Sequence, residues 1–116
     1  MLENGVSQVN PDGTAADGRF PQVSGFRFVF DSRLAAGSRV VSVELADGTS
    51  VPPDGSVYTL ATNDFVNAGG DGYTMLADGQ GVTREVMADV VLDHIRGLGT
   101  ITPTLEGRIT NLATAP

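Results

Sequence analysis

Cysteine and lysine are both absent from the 116-residue chain. Without cysteine there can be no disulfide, zinc–thiolate site or cysteine nucleophile, although compartment stays open on that count. Without lysine all seven basic residues are arginine, and nothing completes a phosphate-cradling P-loop. Histidine occurs once, at His94. A two-metal hydrolytic centre needs a cluster of His and carboxylate ligands around ions about 4 Å apart, and His94 has no metal-ligand spacing around it. Nor does it stand in a recognisable Ser-His-Asp setting. It reads as a solvated helix-flank residue, and the chain alone is expected to hydrolyse nothing.

Long apolar runs are missing too. No stretch approaches the length that crosses a bilayer, and the N-terminus lacks the basic region and apolar run of a signal peptide. The formal net charge is −7, which repels phosphate backbones and argues against general nucleic-acid binding, since that rests on many cationic contacts. A single nucleotide differs, because local geometry at one pocket can outweigh net charge.

With 41% hydrophobic residues, the chain can bury one core and has no room for two domains. Many aspartates stand in turn contexts, Pro11-Asp12-Gly13, Ala46-Asp47-Gly48 and Pro53-Asp54-Gly55. There an Asp side chain caps its own backbone, so these are turns and not ligands. Leu2-Glu3-Asn4-Gly5 reads as the last turn of a helix closed by Gly5 in the left-handed conformation, with Met1 as an added initiator and the helix body upstream. Residues 7–18, rich in Gly, Asp, Asn and Ala, read as an exposed, disordered loop.

From Phe20 the pattern turns β. Phe26, Phe28 and Phe30 alternate with Arg27 and Val29, which puts three rings on one strand face and marks them as core, because a platform for stacked bases needs more basic neighbours than Arg27 and Arg33. Residues 39–45 form a second strand, with Val41, Val43 and Leu45 on one face. Asp47-Gly48 signals a hairpin to a short strand near Ser50-Val51, and Pro52-Pro53 breaks the chain before a fourth strand at residues 57–62. Residues 73–76 read as extended. Thr83 reads as the N-cap of a helix with Glu85 in its first turn. Val86, Met87, Val90, Val91, Ile95 and Leu98 follow at helical spacing and are expected to bury one broad face, as core and not as a cofactor box. Arg96 complements its dipole, and Gly97 or Gly99 closes it. Pro103 keeps the segment before it from being helical. A last strand at residues 107–112 completes an α+β domain with a mixed, mostly antiparallel sheet and one main helix. Residues 113–116 read as a frayed tail.

One segment carries chemistry. Asn63-Asp64-Phe65-Val66-Asn67-Ala68-Gly69-Gly70-Asp71-Gly72-Tyr73 sets an aromatic and a carboxylate six positions apart around flexible glycines. A phenyl face can stack on a base, and Gly69, Gly70 and Gly72, lacking Cβ, let backbone approach a ligand closely. Asp71 can accept from both hydroxyls of a ribose, as the acidic residue of dinucleotide folds does. Taken bare, a strand followed by a Gly-rich turn is usually only a turn.

The order and spacing of Gly18-Arg19-Phe20-Pro21-Gln22-Val23-Ser24-Gly25, residues 26–31, Gly37-Ser38-Arg39-Val40-Val41, the Asn63 to Tyr73 segment and Glu106-Gly107-Arg108-Ile109 add to that reading. Together they resemble the C-terminal domain of the 5'-nucleotidase family. These are metal-dependent phosphoesterases that include UDP-sugar hydrolases and cyclic-nucleotide phosphodiesterases. The resemblance runs from about Leu2 to about Thr110. It implies a domain that binds the nucleoside while a separate N-terminal domain carries two divalent metal ions and the hydrolytic chemistry. Phe65 resembles one of two aromatics that sandwich the base, and Asp71 the carboxylate that holds the ribose diol. The other aromatic, and the arginines and asparagine that help fix substrate, belong to family motifs upstream of this chain. The chain thus resembles the back part of a substrate domain, with residues 1–19 the end of a truncated helix and a loop, and residues 20–112 the domain proper.

Stacking on one aromatic contributes about 1 to 3 kcal/mol and hydrogen bonds from a diol to Asp71 about 1.5 to 3 kcal/mol. Their sum barely reaches the roughly 4 kcal/mol of a millimolar complex, so the expectation is weak affinity for the isolated chain. The implied partners are a nucleotide or nucleoside and the protein's own N-terminal metallophosphatase domain, with no nucleic-acid polymer and no membrane span. The resemblance also implies an extracytoplasmic parent. Two alternatives stay open: a structural or interaction module with an acidic, Lys-free surface, and a relative acting on sugar nucleotides, cyclic nucleotides or sulfur compounds. The Phe65 and Asp71 pair favours a nucleoside over a sulfur substrate.

Overall fold

The computed structural model describes residues 1–114 of the chain. The fold is α+β. Its elements run α1 (Leu2–Val6), β1 (Phe26–Phe30), β2 (Val40–Leu45), α2 (Asp64–Asn67), α3 (Met87–Leu98) and β3 (Ile109–Asn111), with 3₁₀ turns at Gly70–Gly72 and Thr74–Leu76. They group into two compact units. One comprises Met1–Leu60 with the described residues from Gly107 on, and the other is Ala61–Glu106.

The first unit is built on a three-stranded sheet of order β2-β1-β3. Its antiparallel β1–β2 ladder pairs five residues and its parallel β1–β3 ladder three, so the sheet is mixed and mostly antiparallel. The expected burial of the phenylalanines holds. Phe28 and Phe30 are 1% and 2% exposed and form the core with Val6 and Val9, while Phe26 is half-buried. The Phe28 and Phe30 rings lie 5.9 Å apart by their centroids, and Phe20 packs 6.0 Å from Phe30. Rings enclosed in this way are closed to stacking with a base. Burying one phenylalanine stabilises by about 1.5 to 3 kcal/mol.

The face expected for β2 is corrected by a bulge. The β1–β2 register shifts between Val29 and Phe30, so that Phe30 pairs with Val40. One extra residue reverses which side chains face inward. Val40 therefore packs with Val43 on the core, and Val41 is left 55% exposed.

The hairpin after β2 forms as expected. Leu45 N–H donates to the Thr49 carbonyl and Gly48 N–H to the Leu45 carbonyl across the Asp47-Gly48 turn. The strand that should pair back is reduced to one bridge, Glu44 with Ser50, because Pro52 has no N–H to extend it. All three Asp turns are present: Asp12, Asp47 and Asp54 accept the backbone N–H groups of Thr14, Thr49 and Ser56.

The N-terminal segment departs from expectation. Gly5 lies inside α1 and is buried, and the helix runs on to a right-handed cap at Ser7. What closes it is Arg39. This arginine is 7% exposed; its Nη1 donates to the carbonyls of Val6 and Val9 at 2.7 and 2.8 Å, and its Nε donates to Leu34 O. A guanidinium satisfies carbonyls that a helix end leaves orphaned and complements the negative end of its dipole. In return the Glu3 carboxylate accepts from the N–H groups of Arg39 and Val40 at 3.0 and 2.7 Å. Residues 7–18 are accordingly an ordered loop: Val9 is in the core, and Asn10 N–H donates to Ala15 O. The expected frayed tail is likewise tied down as far as Thr114, whose N–H donates to Asn111 O; residues 115–116 lie outside the described residues.

The strand expected at residues 57–62 does not form. Val57 is 94% exposed, and an alternating pattern becomes a strand only where a neighbour completes its ladder. In the second unit, the extended segment expected at residues 73–76 is a 3₁₀ turn, with Leu76 N–H on Tyr73 O. Helix α3 begins four residues later than Thr83. Its cap is Val86, which has no side-chain acceptor but whose carbonyl takes the Asp89 and Val90 N–H groups. Gly99, at φ 72°, closes it. The expected burial of its apolar face fails: none of its residues is buried, with Val90 and Val91 each 51% exposed. An apolar stripe is covered only by an apposing surface, and the other elements of this unit are a one-turn helix and two 3₁₀ turns.

Candidate functional site

All the expected site residues fall in the second unit, on α2 and the turn that follows it. Asn63 is the N-cap of α2: in extended conformation, its Oδ1 accepts the Val66 N–H at 2.8 Å. Asp64 Oδ1 accepts the Phe65 N–H at 3.0 Å. Short polar side chains of this kind satisfy donors that the first helical turn leaves open. The helix can last only one turn, because Gly69 takes φ 91°, a left-handed geometry that glycine adopts without steric cost.

Phe65 projects from α2 and is 57% exposed, in contrast to the ring at Phe28. Asp71 sits within the 3₁₀ turn Gly70–Gly72 at φ 51°, ψ 28°, the non-glycine residue with positive φ among the described residues. An aspartate tolerates the left-handed region better than most residues, at a cost of about 1 to 2 kcal/mol for an ordinary side chain. Asp71 is exposed. Gly72 follows with φ 79°.

The structure brings Phe65 and Gly70 into direct contact. A Cβ built on Gly70 would stand 2.5 Å from Cε1 and Cζ of the Phe65 ring and 2.6 Å from Cδ1. A second contact was not legible in the sequence: Asn67 lies so close over Gly81 that a side chain at 81 would meet the amide. Its only signal is a glycine well separated from the motif. His94 lies exposed on α3. Among the described residues no group of three or more His, Cys, Asp or Glu residues could hold a metal ion, and no helix is long and apolar enough to cross a membrane.

Chemically, an exposed ring and an exposed carboxylate on one short glycine-rich segment can offer a stacking face and a hydrogen-bond acceptor. Comparison with known proteins gives that pair a context. Residues 1–78 match the family described as 5'-nucleotidase, C-terminal domain, and the chain belongs to that family. The solved 5'-nucleotidase precursor from Thermus thermophilus superimposes with a TM-score of 0.79 at 41% identity, covering 99% of this chain and 23% of that one. Among curated relatives, the trifunctional nucleotide phosphoesterase protein YfkN of Bacillus subtilis is 34% identical over 93% of this chain and 8% of its own length. The 5'-nucleotidase of Diplobatis ommata is 36% identical over 85% of this chain and 19% of its own. The chain thus spans less than a quarter of each of these proteins.

Proposed function

We propose that this chain is the nucleoside-holding part of a 5'-nucleotidase-like phosphoester hydrolase. Phe65 stacks on the base, Asp71 accepts hydrogen bonds from the ribose diol, and Gly69, Gly70 and Gly72 let the backbone come close to the ligand. The single observation that carries the reading is the exposure of Phe65, 57% accessible, on the same short segment as Asp71, which is also exposed. A large ring left open next to a built turn is a recognition surface more readily than a core residue.

Catalysis in this reading is positioning. Orientation of reactants contributes several kcal/mol to a rate, and the chain presents the phosphate to divalent metal ions held by a separate N-terminal domain of the same protein. Residues 20–112 form the substrate domain, and residues 1–19 lead into it. An extracytoplasmic parent agrees with relatives named as snake venom 5'-nucleotidases. Sugar nucleotides remain within reach of the same grip, since they carry a base and a free ribose diol; a cyclic nucleotide offers the base but has one or both of those hydroxyls tied up in its phosphodiester ring.

The test is Phe65→Ala in the full-length protein. Phosphate release from adenosine monophosphate should fall on the order of tenfold or more, matching the loss of one stacked ring, with metal content unchanged. Unaltered release would remove Phe65 from the site.

A further inference from the structure

We propose that Gly70 is the seat of the Phe65 ring, a positioning residue whose missing side chain fixes where the stacking surface stands. The proposal rests on the nucleoside reading above and gives Gly70 a different part in it: the residue makes room for the protein's own ring, where the motif alone implies room for the ligand.

The geometry is specific. Three ring atoms in a row, Cδ1, Cε1 and Cζ, would lie within 2.6 Å of a Cβ at position 70, far inside the roughly 3.5 to 4.0 Å of carbon–carbon contact. One side of the ring therefore rests on the Gly70 backbone. The contact is not explained by backbone conformation, because Gly70 lies outside the left-handed region that Gly69, Asp71 and Gly72 occupy. Gly70 does not need the positive φ that favours glycine, so a substitution there chiefly probes space.

The exposed ring decides what yields. More than half of Phe65 is open to solvent, and its side chain can swing outward, whereas the turn beneath is held by Tyr73 N–H on Gly70 O and Gly69 N–H on Val66 O. A methyl group at 70 should displace the ring and leave the turn in place. A ring free to swing must be ordered again on each binding event, which weakens binding.

The experiment compares Gly70→Ala, Phe65→Ala and the double variant in the full-length protein, by crystal structure and by calorimetric titration with adenosine. Gly70→Ala is expected to move the ring off the turn and weaken adenosine binding on the order of tenfold. The double variant should then bind no worse than Phe65→Ala alone, because the methyl group acts only through the ring. An unmoved ring, additive losses, or wild-type binding by Gly70→Ala beside weakened Phe65→Ala would overturn the seat and leave the nucleoside reading intact. Wild-type binding by Phe65→Ala would overturn the nucleoside reading and the seat's part in it together. If Gly70→Ala does not fold, recovery of folding in the double variant supports the contact, and failure to recover refutes it.

Discussion

The two units of this chain solve the problem of order differently. Around the sheet, residues distant in sequence close on one another: Arg39 reaches back to Val6 and Val9, Glu3 holds the start of β2, and Asn111 accepts from Ser32 N–H while its amide donates to the Ser32 hydroxyl. Phe28 and Phe30 are enclosed there. In Ala61–Glu106 the backbone hydrogen bonds of α2 and its turn join residues three or four apart, and the large apolar side chains are mostly exposed, with Tyr73 buried at 5% and Val66 and Leu76 partly buried. A segment held by local bonds opens at lower free energy than a core strand. The contrast places the candidate binding residues on the part of the molecule with the least packing behind them, which suits a surface that must meet a ligand and does not suit one that must hold the fold.

The sharpest way to break that comparison is to make one change in both places. Phe28→Ala should destabilise by about 3 to 5 kcal/mol, as cavity-forming aromatic truncations do. Phe65→Ala should cost under about 1 kcal/mol, because most of that ring is already in water. Urea titrations with the slope checked for constancy would measure both. Similar losses at the two positions would mean that the units are not built differently.

A smaller effect concerns pH. The side chain of Arg33, hydrogen-bonded to Asp31, holds that carboxyl below its ordinary value of 3.8, and the hydroxyl and N–H of Thr14 do the same for Asp12. Hydrogen bonds from Thr49 and Ser56 lower Asp47 and Asp54. A carboxylate whose folded value is depressed contributes stability that is present above its unfolded value and lost as pH falls through the folded one. All four lie in the sheet unit, so thermal stability should decline as pH drops below about 4. Asp31→Asn should flatten part of that decline; an unchanged slope would take Asp31 out of the account.

Local signals carried much of this structure in the sequence. The alternation of Phe26, Phe28 and Phe30 marked β1 and its core face, and Asp12, Asp47 and Asp54 marked turns that do form, because both depend on neighbours a few residues away. The inward face of β2 was misread since it hangs on a bulge between Val29 and Phe30, a feature of pairing with no composition of its own. Arg39 as the closure of α1 was invisible for the same reason, its acceptors lying some thirty positions earlier. The run at residues 57–62 and the stripe on α3 had the right periods but lacked partners to realise them. In the candidate site, Phe65, Asp71 and the glycines were legible as a motif. The contact between Phe65 and Gly70 was not, since spacing does not say what a glycine leaves room for.

The central claim, that Phe65 and Asp71 grip a nucleoside, is tested most directly at Asp71 in the full-length protein. Asp71→Gly deletes the carboxylate while keeping a residue at ease with φ 51°, so the turn is preserved. Affinities for adenosine and for 2',3'-dideoxyadenosine should differ on the order of tenfold in the unsubstituted protein, the value of a hydrogen bond to a charged group, and should converge in Asp71→Gly. A preference for the ribose diol that survives the substitution unchanged would contradict the claim.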